Sequence, residues 1–131
     1  MNPKQFLIIG GAVLVVVGLA GFFGIIGPTS DRSLFGAFWW FDNAENWAHL
    51  TLGVVGLIAA FVLPEMIQKW LVLLLGVVGV LVGVWSAVIS TNFYGANLEN
   101  PADTLLHIIV GAWALWAALQ SKKEAMGAPT Y

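Results

Sequence analysis

Long apolar runs alternate with short polar ones along this chain, at positions 6–27, 47–63, 70–90 and 104–119. At 1.5 Å per residue each run reaches about 24–33 Å as a helix, matching a hydrocarbon core about 30 Å thick. The pattern predicts an all-α protein, a polytopic membrane four-helix bundle that occupies 1–131 as a single transmembrane domain. The polar remainder repeats. Asp42-x-x-Glu45-x-x-x-His49-x-x-x-Gly53 returns 58 residues later as Asn100-x-x-Asp103-x-x-x-His107-x-x-x-Gly111, and these copies contain both histidines of the chain. The same offset pairs Gly18 with Gly76, Gly21 with Gly79, Ser33 with Thr91, Phe35 with Phe93 and Ala44 with Ala102. It predicts two parallel helical-hairpin repeats, about 6–63 and about 64–121, related by an axis along the membrane normal, with a short cytoplasmic tail at 122–131.

Composition strengthens this reading. The 131 residues are 60% hydrophobic and 9% charged, with a mean hydropathy of +0.88; a soluble domain of this size cannot hide so much apolar surface. The first run is 22 residues long, beyond the roughly 7–15 of a signal-peptide core, so it is expected to remain as a span. The absence of cysteine excludes disulfides, thiol catalysis, lipoprotein attachment and Cys-based metal sites. A net charge of −2 without a basic patch argues against nucleic acid. Lys4, Lys69, Lys122 and Lys123 flank one side, so both termini and the loop 64–69 are expected in the cytoplasm, with loops 28–44 and 91–102 outside and the protein integral to the cytoplasmic membrane.

Asp42 and Asn100 suit helix N-caps, Pro101 suits a first helical position, and Glu45 and Asp103 then fall third, as in a capping box. Acids there also complement the helix dipole. The histidines lie one turn inside lipid, where ionisable residues are functional candidates. Each can bond the carboxylate four residues back or the opposite helix, fixing register. Glu45, His49, Asp103 and His107 can also ligate a divalent metal such as zinc, iron or manganese. His49 and His107 can instead ligate a haem or other tetrapyrrole, with Gly53 and Gly111 leaving room for a flat ring. These sites require the second and fourth helices to meet through their glycine sides. Gly79-x-x-x-Gly83 suits internal packing or a homo-oligomer, and the aromatics at 38–41 and Trp70 suit interfacial belts.

The segments Asp42-Asn43-Ala44-Glu45-Asn46-Trp47-Ala48-His49-Leu50 and Asn100-Pro101-Ala102-Asp103-Thr104-Leu105-Leu106-His107-Ile108 carry a further likeness. The chain resembles a bacterial family of small four-helix membrane proteins of unknown function. That family has (Asp/Glu)-Asn-x-x-His-(Leu)-x-x-x-Gly at the start of its second and fourth helices. The resemblance covers about residues 6–120 and implies the four-helix fold. It maps Glu45, Asn46 and His49 onto the first motif, and Asp103 and His107 onto the second; Thr104 stands where the family has Asn. It implies no activity. With no nucleophile–base pair or phosphate-cradling loop, and no polar path below Thr51 for ions, the expected role is non-enzymatic. The chain is expected to act as a structural or accessory subunit in the lipid bilayer, as a homo-oligomer or within a larger membrane complex.

Overall fold

Asn2 opens the first helix of the computed structural model. Its side chain accepts from the Gln5 N–H at 2.9 Å, Gln5 Oε1 accepts from the Asn2 N–H at 3.0 Å, and Pro3 fills the first turn, where a missing N–H costs nothing. The structure describes the backbone of residues 1–127 and the side chains of 1–120. Four helices account for most of it: α1 (Pro3–Phe22), α2 (Asn43–Val62), α3 (Glu65–Val88) and α4 (Ala102–Gly127). All four are long and apolar enough to cross a membrane. The helices begin before the apolar runs do, because their capping turns are polar. α1 stops at Phe22 rather than continuing to 27, since Gly24 takes φ +80°. The predicted tail from 122 is still helical to Gly127, and 128–131 lie outside the described residues. In the loop between α3 and α4, β1 (Asn92–Phe93) pairs antiparallel with β2 (Ala96–Asn97) across a two-residue turn. Tyr94 and Gly95 supply the turn's positive φ values, 49° and 91°, as a tight hairpin requires.

α1 packs along α2 and α3 along α4, with smaller contacts from α1 to α3 and to α4. Glycine makes the long seams possible. A Cβ on Gly53 would lie 2.7 Å from both the Gly11 carbonyl oxygen and the Val15 nitrogen. One on Gly111 would lie 2.9 Å from the Gly76 oxygen and 2.7 Å from the Val80 nitrogen. The glycine sides of α2 and α4 therefore face α1 and α3 within their own hairpins, not each other as the sequence suggested. Antiparallel neighbours joined by a loop gain the most backbone-to-backbone dispersion contact where side chains are absent. Gly79 and Gly83 also face α4, so this pair serves internal packing.

The buried positions follow a regular correspondence. In α2 they are Glu45, Asn46, Gly53, Gly56, Ala59 and Ala60; 58 residues on in α4, Asp103, Thr104, Gly111, Ala114, Ala117 and Ala118 are buried in turn. In the outgoing helices the step is different. Pro3, Leu7, Gly11, Gly18 and Gly21 of α1 correspond to Gln68, Val72, Gly76, Gly83 and Ser86 of α3, each 65 residues later. Gly18 lies against Asn46 and Leu50 as Gly83 lies against Thr104 and Ile108. Packing thus matches Gly18 with Gly83 and Gly21 with Ser86, correcting the pairing with Gly76 and Gly79 that a uniform 58-residue offset suggests. The seven-residue difference sits in the loops within the hairpins, 23–42 being longer than 89–101.

Only Leu63 and Pro64 separate α2 from α3. The buried Gln68 turns its amide Nε2 onto the carbonyls at the end of α2, Ala60 (3.0 Å), Leu63 (2.9 Å) and Ala59 (3.3 Å), the last of which also accepts from the Leu63 N–H at 3.1 Å; carbonyls at a helix C-terminus run short of donors. Beside it lies the apolar core of Phe6, Leu7, Ala59, Ala60, Val72 and the alanines of α4. Large apolar side chains such as Val16, Phe61, Leu81 and Ile109 point outward instead. Small and polar residues inside with bulky apolar ones outside is the arrangement a lipid solvent rewards.

Candidate functional site

At the start of α2 the first motif folds as its spacing predicts. Asp42 Oδ1 accepts from the Glu45 N–H at 2.9 Å, and Glu45 Oε2 accepts from the Asp42 N–H at 3.0 Å, a reciprocal capping box. The second oxygen of Asp42, Oδ2, accepts from the Asn97 N–H of the α3–α4 loop at 2.7 Å.

The second motif departs from the expected box. Asn100 directs its amide at the Ser86 carbonyl at the end of α3, 3.5 Å away, and α4 begins at Ala102, so Pro101 precedes the helix. Asp103 reaches back to the Glu99 N–H at 2.8 Å through Oδ2. Its Oδ1 accepts from Trp39 Nε1 at 2.9 Å. Trp39 is therefore not a simple interfacial anchor. It lies edge-on to Phe41 with ring centroids 5.3 Å apart and delivers its one polar atom to a carboxylate of the opposite hairpin.

These turns converge. Glu45, Glu99 and Asp103 each bring a carboxylate oxygen to within 4.8 Å of the others. Glu45 is only 4% exposed and Asp103 only 1%. Among the described residues Glu45 Oε1 and Glu99 Oε2 are buried with no hydrogen-bond partner, while Glu99 Oε1 accepts from Asn97 Nδ2 at 2.6 Å. Burial, followed by the adjoining Asp103 carboxyl, pushes Glu99 up to about 8 from an ordinary 4.5, because a charge placed there is poorly solvated and lies beside another. The charges acting on Glu45 and Glu99 are all carboxylates. Three acids in one pocket of low polarity can share protons or hold a cation between them.

Of the four residues the sequence marked as ligands, the structure brings Glu45 and Asp103 into this cluster and leaves the histidines beside it. His107 Nδ1 bonds the Asp103 backbone carbonyl at 2.8 Å rather than its carboxylate, which is already taken by Trp39 and Glu99. His49 packs edge-on to Phe41 at 4.8 Å, with Nδ1 buried and unpartnered. The flat space expected beside Gly53 and Gly111 is filled by the backbones of α1 and α3, which removes the room proposed there for a tetrapyrrole. Glu99 was missed because the repeat hides it. Its counterpart 58 residues earlier is the apolar Phe41, so a search for matched pairs passes over it. Its four-residue spacing from Asp103 was the available signal.

Below the acids, the two halves solve one packing problem differently. The Asn46 amide occupies the space where a side chain on Gly21 would stand. At the corresponding place Ser86 and Thr104 join hydroxyls at 2.6 Å. The Thr104 that departs from the first motif is thus matched by Ser86 where the first hairpin has glycine. No protein-family model, curated protein or solved structure matches the chain.

Proposed function

We propose that this chain is a small integral protein of the cytoplasmic membrane, non-enzymatic, acting as a structural or accessory subunit. It is built from two parallel helical-hairpin repeats with both termini in the cytoplasm. The observation that carries the reading is how the reactive-looking side chains are spent. Trp39 of the first hairpin donates to Asp103 of the second, and Asn97 of the second donates to Asp42 of the first. Asp42 and Asp103 are thereby bound into a clamp that joins the hairpins at the proposed outer face. Support for the repeat comes from the buried positions, which recur at a constant step in α2 and α4 and, apart from Phe6 and Val82, at a second constant step in α1 and α3. The lysines at 4 and 69 support the orientation, and the family resemblance is in keeping with the fold.

An accessory subunit leaves the membrane with its partner, as a homo-oligomer or as part of a larger complex. Purification in mild detergent is expected to yield a stoichiometric assembly. Recovery as a clean, stable monomer would overturn the accessory role. Labelling of a cysteine introduced at Lys122 only from outside would overturn the orientation.

A further inference from the structure

We propose that Glu45, Glu99 and Asp103 form a binding site for a hard divalent cation such as calcium, held between the two hairpins. Oxygens that share one Ca²⁺ at about 2.3–2.6 Å are at most about 5 Å apart, and the three donor atoms here lie within 4.8 Å of one another. The donor set contains only oxygen, which selects calcium, magnesium or manganese over the softer metals that favour imidazole and thiolate.

The acids alone would not carry the inference; their unmet bonding does. Glu45 is 4% exposed, and its Oε1 has no partner although Oε2 is bonded. Glu99 repeats the arrangement in part, with Oε1 bonded to Asn97 and Oε2 buried without a donor among the described residues, beside the Asp103 carboxyl. A buried carboxylate oxygen without a donor is costly, and one cation held among the three acids would offset that cost at Glu45 and Glu99 together. The remaining bonds already orient the ligands, since Asp42 fixes Glu45, Asn97 fixes Glu99, and Trp39 fixes Asp103. Such outer partners hold ligands in place at metal sites. Both outer loops contribute, so an ion would tighten the joint between hairpins. Only the side from which the ion enters rests on the orientation proposed above; binding itself does not.

Terbium, a luminescent calcium mimic, tests this on the full chain in detergent. Trp39 is hydrogen-bonded to a ligand, so exciting tryptophan should sensitise bound terbium. A saturable signal displaced by Ca²⁺ is expected. Glu99→Gln should weaken terbium binding by about tenfold or more, whereas Glu65→Gln, at the opposite end of the bundle, should leave it unchanged. Trp39→Phe should lower the luminescence while calorimetry still detects the ion. Unchanged affinity in Glu99→Gln, or no saturable binding by wild type, would overturn the site. Should Glu99→Gln lose its helical circular dichroism, the wild-type thermal midpoint decides: it rises with Ca²⁺ if the site exists and stays fixed if it does not. Failure of the site leaves the monomer and labelling tests of the previous subsection untouched.

Discussion

The exchange of Gly21 and Asn46 for the pair found in the other hairpin offers a demanding test of the packing correspondence. Gly21→Ser alone places a side chain where the fully buried Asn46 amide sits. Overpacking of this kind costs about 1–3 kcal/mol, partly offset by about 0.5 kcal/mol because serine favours a helix more than glycine does. Asn46→Thr alone keeps roughly the same volume but shortens the reach across the seam, and it gives up the long 3.4 Å bond to the Phe41 carbonyl. Its cost should be about 1 kcal/mol. Together the substitutions recreate the hydroxyl pair that Ser86 and Thr104 form at 2.6 Å. The double variant should then be more stable than the sum of the singles by about 1–3 kcal/mol, the range for residues in direct contact. Reversible unfolding in mixed detergent and dodecyl sulfate micelles, followed by circular dichroism, measures all four corners of the cycle. Strict additivity would refute the idea that α1 and α3 present the same seam at a 65-residue step.

Two other consequences are open to measurement. Gln68→Met keeps the bulk of the side chain but leaves the carbonyls of Ala59, Ala60 and Leu63 without their shared donor, so it should lower stability by about 1–3 kcal/mol in the same unfolding assay. Glu99 binds its proton more tightly in the folded chain than in the unfolded one, holding it up to about 8 against 4.5. Its contribution to stability is therefore greatest below about pH 5 and is lost as pH rises through about 8. Thermal midpoints taken across this window in chelator should fall more for wild type than for Glu99→Gln, and equal slopes would count against the burial of this carboxyl.

Much of the fold was readable from periodic apolarity because a helix spanning lipid must be long and uninterrupted. The capping box of Asp42 and Glu45 was readable too, since its bonds are local and depend on spacing alone. Long-range contacts were less accessible. The partner of Gly53 depends on which helix approaches it, and the sequence marks a small residue without saying what fills the space. Trp39 sits in an aromatic run that composition assigns to the interface, and only the folded loop brings its N–H to Asp103. Gln68 is a single polar residue near a helix start, unremarkable until its amide is seen over the carbonyls of the preceding helix. The repeat itself both helped and misled. It located Glu45 and Asp103 together, but a single offset could not register a length difference confined to one loop.

That length difference has a consequence for stoichiometry. At the loop end of the bundle the two hairpins are treated differently: the longer loop contributes Trp39, the shorter one contributes Asn97 and Glu99, and Phe41 takes the place that would mirror Glu99. A twofold-symmetric protein would offer two equal sites, or one site on its axis read identically from either side. This chain offers a single lopsided one. A terbium titration should accordingly saturate at one ion per chain, and a protein partner approaching from the outer face would meet it in one orientation, so that two copies of the chain would be required to present two docking positions.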